Sequence, residues 1–214
     1  MDQLVEIKSK IQINPSRVGK KYFVKTFGCQ MNEHDSERIS GMFELDGMSK
    51  AISEEYADVL FVNTCTIREN ADDKLYGTLG QLKQWKSEKD NRKLLVGGCA
   101  AQKDKELVRE KAPWVDVVIG THNLTNVVDL LNRSEDWGPL TEIIDEIETL
   151  PTEAPSIRES EYSAWVTIQI GCNNSCTFCI VPSVRGQEIS RRPSDIVNEA
   201  KKLVDEGVKE ITLL

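Results

Sequence analysis

Residues 58–65 have the sequence DVLFVNTC, in which four consecutive apolar side chains precede two polar residues and a cysteine. A short apolar run of this kind is typical of a buried strand in a parallel sheet. Two other stretches share the pattern, KYFVKTFGC at residues 21–29 and KLLVGGC at residues 93–99. Their cysteines are spaced 36 and 34 residues apart, close to the roughly 30 residues of one strand-helix unit. The sequence therefore predicts repeated strand-helix units, with a cysteine just past the carboxyl end of three strands.

Helical patterns alternate with these strands. We expect strands at Lys21–Thr26, Asp58–Val62, Lys93–Val96 and Val115–Ile119, and helices at Ser36–Leu45, 69–86, Lys103–Lys111 and Asn123–Leu131. This alternation predicts an α/β fold with an open parallel sheet over residues 21–133. Residues 1–20 are polar and weakly patterned, so we expect an N-terminal extension there.

A second module follows an acidic segment. Residues 134–161 hold nine acidic residues, one basic residue and three prolines, which predicts a linker. Beyond it we expect, within residues 162–214, a strand at Trp165–Ile170, a loop at 171–187, a helix at Pro193–Glu206 and a strand at Glu210–Leu214. One β-α-β unit does not close a (β/α) barrel, which takes around 250 residues. We therefore expect an α/β chain that ends in the truncated start of a barrel, as an N-terminal fragment would.

Charge and hydropathy narrow the class of protein. The net charge is -8, but outside the acidic segment 26 basic and 26 acidic residues balance. The low pI therefore belongs to the segment and does not weigh against a nucleic-acid partner. No apolar run reaches the roughly 18 residues of a membrane span, and the start lacks a signal-peptide pattern. We expect a cytoplasmic protein without a membrane partner.

Six cysteines are unusual in a reducing compartment and favour metal binding or catalysis over disulfides. Because the carboxyl ends of parallel strands meet at one edge, Cys29, Cys65 and Cys99 can converge there. Each taken alone could be an ordinary buried cysteine, but three at one structural position favour a shared ligand. Zinc bound with His34 or His122 is an alternative, although both histidines are expected to be structural or solvent-facing.

The remaining three cysteines form a tighter motif, Cys172-x-x-x-Cys176-x-x-Cys179. Three thiolates in eight residues can hold three irons of a 4Fe-4S cluster, which leaves one iron open for a small molecule. A thioredoxin-type Cys-x-x-Cys leaves Cys172 unexplained, and a zinc ribbon needs a second Cys-x-x-Cys. The cluster is the favoured interpretation.

The string GCNNSCTFCIVPSVRGQEISRRP, residues 171–193, resembles the methylthiotransferase branch of the radical S-adenosylmethionine enzymes. TFGCQMNEHDSE, NTCTIRENADDKLYG and GGCAAQ resemble the N-terminal domain of that branch. Residues 28–32, GCQMN, are similar to the members that act on tRNA, whereas members that modify a ribosomal protein tend to have Pro-Lys-Asn after the first cysteine. The resemblance covers roughly residues 20–214.

The resemblance implies two 4Fe-4S clusters, one on Cys172, Cys176 and Cys179 and one on Cys29, Cys65 and Cys99. The first would bind S-adenosylmethionine, and the second would supply sulfur. The implied reaction is methylthiolation at C2 of an isopentenylated adenosine at tRNA position 37. An electron donor is implied as a partner, and we expect a monomer. The chain alone is expected to be inactive, because most of the cofactor pocket and the substrate site would lie beyond it.

Other residues have less specific expectations. Phe178 either packs beside the adenine of S-adenosylmethionine or belongs to a core. Arg185, Arg191 and Arg192 either contact tRNA phosphate or organise the barrel mouth, or they are solvated at a helix start. Two other functions remain open: methylthiolation of a ribosomal protein or of threonylcarbamoyl-adenosine tRNA, and a non-catalytic iron–sulfur or zinc module.

Overall fold

The computed structural model describes residues 14–66, 70–145 and 155–214. Its N-terminal part is a six-stranded parallel sheet with the strand order β2-β1-β3-β4-β5-β6. The strands are β1 Lys21–Thr26, β2 Ser49–Lys50, β3 Val59–Thr64, β4 Lys93–Gly98, β5 Val117–Ile119 and β6 Leu140–Glu142. The α-helices are α1 Gln30–Leu45, α2 Ala71–Ser87, α3 Cys99–Asp104, α4 Leu107–Lys111 and α5 Val127–Trp137, with 3-10 turns at Glu54–Tyr56 and Leu124–Asn126.

The central strand β3 is buried along its whole length, and its side chains alternate between two cores as strand geometry requires. Leu60 and Val62 belong to the core that α2 covers. Val59 and Phe61 belong to the core that α1 and α5 cover. Helices on both faces explain why the strand is apolar at consecutive positions, and they confirm the predicted α/β sheet.

The second module begins a new sheet. It contains β7 Ser163–Val166, β8 Gln169–Ile170, α6 Val181–Arg185, β9 Ile189–Ser190, α7 Pro193–Asp205 and β10 Glu210–Leu213. β10 pairs in parallel with β7, and α7 packs over the pair through a small core of Ala164, Val166, Leu203 and Val208. The predicted β-α-β unit is therefore present. The antiparallel pair β8-β9 closes the base of the cysteine loop.

Several boundaries differ from the sequence prediction. α1 begins at Gln30, not Ser36, because its first turns bury polar side chains, and apolar periodicity cannot detect these. The helix expected at Lys103–Lys111 is two short helices that separate at Lys105, where φ is +50°. The strand expected at Trp165–Ile170 is interrupted after Val166 and continues as β8 in a different sheet. Residue 69, the expected start of the second helix, lies outside the described residues.

The first part of the predicted acidic linker is ordered structure of the domain. Residues 134–142 include the end of α5 and all of β6, which pairs in parallel with β5. Further on, the backbone N–H of Ile157 donates to the carbonyl oxygen of Glu37 at 3.0 Å, and this contact holds the segment against α1. The acidic composition wrongly predicted a linker over residues 134–142, because acids of this stretch pair with cations of the domain. Glu142, for example, lies 2.6 Å from Arg133. Residues 146–154 lie outside the described part.

Residues 14–20, which the sequence predicts to lie in the N-terminal extension, belong to the domain instead. Residues 1–13 are not described, but Arg17 is wholly buried. Its Nη1 lies 2.6 Å from Oε1 of Glu135, and its Nε lies 3.3 Å from Oδ2 of Asp46. The segment around Arg17 is therefore part of the domain. Among the described residues, no helix has both the length and the apolar character needed to cross a bilayer.

Candidate metal centres

Three cysteines lie at one edge of the N-terminal sheet, as the sequence predicts. Cys29 caps the start of α1, Cys65 follows β3 directly, and Cys99 begins α3 just after β4. Since β1, β3 and β4 are neighbours in the sheet, the loops after them are adjacent. Cys65 and Cys99 are buried and Cys29 is half-buried.

Two glycines let these loops approach each other. Gly28 has φ of +130°, and a Cβ added there would lie 3.0 Å from Cβ of Cys65 and 2.8 Å from Nδ2 of Asn32. Gly98 has φ of +90°, and an added Cβ would lie 2.5 Å from the carbonyl oxygen of Thr64. Only glycine fits such positions without displacing its neighbours. An open hollow of about 400 Å³, lined in part by Gly28, Thr64 and Cys65, lies beside this edge.

Asn32, which is wholly buried, links all three cysteine loops. Its Nδ2 donates to the carbonyl oxygens of Phe27 and Thr64, both at 2.8 Å. Its Oδ1 lies 3.8 Å from Sγ of Cys99. Asn63 supports it from β3, because its Nδ2 donates to the backbone oxygen of Asn32 at 2.8 Å. The sequence motif contained Asn32, but neither asparagine was predicted to have this role.

Arg185, a cation of the second module, contacts Asn32 at the same cysteine loops. Nη1 of Arg185 lies 2.7 Å from Oδ2 of Asp35, and Nη2 lies 2.7 Å from Oδ1 of Asn32. Burial raises the pKa of the Cys99 thiol, and the nearby guanidinium of Arg185 lowers it. Burial opposes the charge of Arg185, yet Asp35 and Cys99 hold its pKa above the ordinary range. The guanidinium is therefore charged beside the Cys99 sulfur.

The Cys172–Cys179 loop has a different environment. It projects from the β8-β9 stem, with Cys176 and Cys179 exposed and Cys172 half-buried. Gly171 has φ of +76°, and a Cβ there would lie 2.1 Å from the carbonyl oxygen of Gln187. The N–H of Cys172 donates to the carbonyl oxygen of Gly186 at 3.1 Å. The base of the loop is thus fixed, while two of its thiols are open to solvent.

The structure stops short of assembling a metal site. Within residues 14–66, 70–145 and 155–214, no three His, Cys, Asp or Glu side chains meet at distances that would hold a metal ion. Both triads consist of thiols, the donors preferred by iron–sulfur clusters. The hollow beside Gly28 and Cys65 and the solvent exposure of Cys176 and Cys179 leave space beside each set. The donor sets and their surroundings therefore fit such clusters.

Other predicted residues are distributed differently. Phe178 is 97% exposed and packs in no core formed by the described residues. Arg185 is buried, and Nη1 of the half-buried Arg191 pairs with Glu199. Neither side chain is therefore the solvated cation of the third alternative. Arg192 is exposed at the start of α7.

Both histidines are buried in the structure and not solvent-facing. Nδ1 of His34 forms a 3.0 Å hydrogen bond with Oγ1 of Thr167. His122 lies under Gly186, where an added Cβ would be 3.1 Å from its Cε1.

Comparison with known proteins agrees with this geometry. Residues 21–120 match the uncharacterized protein family UPF0004, and residues 166–214 match the radical SAM superfamily. Proteins named tRNA-2-methylthio-N(6)-dimethylallyladenosine synthase are similar to nearly the whole chain. The protein from Tropheryma whipplei is 57% identical over 90% of this chain and 41% of its own length. The protein from Corynebacterium urealyticum is 51% identical over 97% of this chain and 39% of its own length.

Nearly the whole chain is thus similar to proteins named as tRNA methylthio-adenosine synthases, and its last part matches the radical SAM superfamily. It spans about two fifths of the length of the curated relatives it matches. A solved structure of a radical S-adenosylmethionine methyltransferase, TsrM from Kitasatospora setae, has a TM-score of 0.54 with 9% sequence identity. That match covers 91% of this chain and 48% of the other and supports the radical SAM fold.

Proposed function

We propose that this chain takes part in methylthiolation at C2 of an isopentenylated adenosine at position 37 of tRNA. The observation that carries the proposal is the identity of 51–57% over at least 90% of the chain with proteins named for this product. The GCQMN run at residues 28–32, similar to the tRNA-acting members, supports the same substrate. The relatives extend well beyond the matched part, so the activity is proposed for the complete protein.

The two cysteine sets are the proposed ligands of two 4Fe-4S clusters. Cys172, Cys176 and Cys179 would hold one, and Cys29, Cys65 and Cys99 would hold the other. When bound, the clusters supply one-electron reduction of S-adenosylmethionine and sulfur for the transfer. The C2–H bond of the adenosine carries no leaving group, so acid–base chemistry by side chains alone could not replace this hydrogen by sulfur.

The chain's own residues would position these groups and limit access to them. Burial of Cys65 and Cys99 excludes water from the first site, and Asn32 fixes its loops relative to each other. Exposure of Cys176 and Cys179 leaves the second site open to a small molecule. The exposed ring of Phe178 stands between these two thiols in sequence, where it could stack on the adenine of S-adenosylmethionine.

Further proposals follow for partners and location. The exposed Arg192 is available to a tRNA phosphate. The reaction requires an external electron donor, and a tRNA substrate places the protein in the cytoplasm. We propose a monomer, with no membrane partner.

The test uses the complete protein, reconstituted anaerobically with iron and sulfide. It is incubated with isopentenylated tRNA, S-adenosylmethionine and a reductant, and the digested nucleosides are analysed by mass spectrometry. We expect 2-methylthio-isopentenyladenosine, and none from tRNA that lacks the isopentenyl group. Product only on a ribosomal protein or on threonylcarbamoyl-adenosine tRNA would contradict the substrate.

A further inference from the structure

Arg185 and Gly186 contact both cysteine sites at once. On the backbone side, the carbonyl oxygen of Gly186 accepts the N–H of Cys172 at the base of the exposed loop. On the side-chain side, the guanidinium of Arg185 reaches Asp35 and Asn32 in the N-terminal domain. Two adjacent residues therefore join the loop of one cysteine set to the loops of the other.

The short helix α6, which carries Arg185, is itself held on the N-terminal domain. Oγ1 of Thr121 donates to the carbonyl oxygen of Val184 at 2.7 Å. The ion pair of Arg185 with Asp35 is nearly dry, with side chains 8% and 7% exposed. A charge in such a place is retained only when it is paired and hydrogen-bonded. The position of this guanidinium is therefore fixed by partners from the other module.

Both terminal nitrogens of the guanidinium donate hydrogen bonds, and their two acceptors differ in kind. An ion pair that only joined two modules would need the carboxylate of Asp35 and nothing more. Nη2, however, donates to Oδ1 of Asn32, the same oxygen that lies 3.8 Å from Sγ of Cys99. Arg185 thus acts on the group that links the three cysteine loops.

The local charge balance is positive. Arg38 has two further cations beside it, Arg185 and Arg191, and two acids, Asp35 and Glu199. Three cations against two anions in a buried interface leave an excess of one positive charge. A cluster held by thiolates is anionic, and its reduction potential depends on net charge and on hydrogen bonds around its sulfurs.

We propose that Arg185 is a positioning residue that couples the two cysteine sites. It holds the Cys172 loop against the N-terminal domain and raises the reduction potential of the cluster on Cys29, Cys65 and Cys99. This inference rests on the proposed function, since it presumes that cluster. Arg185 acts through Asn32 and through its charge, and contact with substrate is not required.

The test is a redox titration of the complete protein, followed by electron paramagnetic resonance. Cys172, Cys176 and Cys179 are replaced by Ala so that only the N-terminal cluster is observed. In this background we expect Arg185→Met to lower the ratio of reduced to oxidised cluster at a fixed potential about tenfold, or ~59 mV for one electron. Arg185→Lys should retain most of the potential, and Lys201→Met, which removes an exposed cation of α7 in the same module, should leave it unchanged.

A second variant decides the matter if Arg185→Met fails to load its cluster. Asp35→Asn removes the anion beside Arg185 and should shift the potential in the opposite direction, to less negative values. A purely structural ion pair predicts no such opposite shifts. An unchanged potential in Arg185→Met, or a more negative one in Asp35→Asn, would overturn the inference. Absence of any cluster in the background with Arg185 intact would instead overturn the proposed function.

Discussion

Nη1 of Arg185 lies 2.7 Å from Oδ2 of Asp35, and this ion pair crosses from the radical SAM module to the first helix of the N-terminal domain. Asp35 is six residues after Cys29, and Arg185 is six residues after Cys179. The helix that follows Cys29 is therefore tied to the helix that follows Cys179. Because removal of one partner leaves a buried charge uncompensated, the pair favours a single arrangement of the two sites.

Replacement of Asn32 by Ala should destabilise the N-terminal domain. The change leaves the carbonyl oxygens of Phe27 and Thr64 without the donor that each has now. Unsatisfied buried groups cost about 1–3 kcal/mol each, so we expect a loss of roughly 2–4 kcal/mol in denaturant unfolding. The exposed neighbour Gln30→Ala is the control and should change stability by less than ~0.5 kcal/mol. Equal stability of the two variants would show that the Asn32 hydrogen bonds are not needed.

Gly28→Ala should disturb the first cysteine site directly. Its φ of +130° and the 3.0 Å approach to Cβ of Cys65 leave no room for a methyl group. We expect a cost of about 1–3 kcal/mol and a lower iron content at this site after reconstitution. Gly77→Ala is the matched control, because nothing lies within 4 Å of an added Cβ in that helical position. It should stabilise the chain by roughly 0.5–1 kcal/mol. Full iron loading in Gly28→Ala would refute this role.

His34 should make stability depend on pH. Burial, with the charges of Arg38 and Arg191, lowers its pKa from 6.5 to about 3. Between these values the unfolded chain binds a proton on this imidazole that the folded chain does not. Stability should therefore fall as the pH falls from 6.5 towards 3, by up to ~1.4 kcal/mol per unit.

The comparison that isolates this effect is His34→Gln. Asp46 also titrates in the window, because burial raises its pKa from 3.8 to about 6. Its contribution has the opposite sign, since the folded state then binds the extra proton. It remains in both proteins, so the difference between them reports His34 alone. A pH profile of unfolding with the same slope in both proteins would disprove the assignment.

Phe178→Ala should separate cofactor binding from folding. The side chain is 97% exposed, so its removal should change stability by less than ~0.5 kcal/mol. If the ring stacks on the adenine, the dissociation constant of S-adenosylmethionine should rise about 2- to 10-fold, as expected for the loss of roughly 0.5–1.5 kcal/mol. Equilibrium binding to the reconstituted protein measures this, with the nearby exposed Thr177→Ala as control. Equal affinities in the two variants would place the ring outside the cofactor site.

The sequence was sufficient for features that depend on local pattern. Apolar runs located β1, β3 and β4, and the residues that follow each run located Cys29, Cys65 and Cys99 at one edge of the sheet. Sequence pattern was insufficient where polar side chains are buried against partners that are distant in the chain. The sequence predicts that Arg185 contacts tRNA phosphate, organises the barrel mouth or is solvated, and it does not reveal the partner Asp35, which lies 150 residues away.

Similar reasons explain the missed boundaries. Arg17 and Asn32 are polar, so no apolar pattern predicts their burial, and their partners come from other elements of the fold. β6 is only three residues long and half-buried, so it shows no apolar run. Tertiary pairing, which no local pattern encodes, decides these positions.

The most direct test of the account is the iron and acid-labile sulfide content of the complete protein after anaerobic reconstitution. Two 4Fe-4S clusters predict about eight irons and eight sulfides per chain. Replacement of Cys29, Cys65 and Cys99 by Ala should leave about four of each, and so should replacement of Cys172, Cys176 and Cys179. One bound zinc without sulfide, or an iron content unaffected by either triple substitution, would contradict the account.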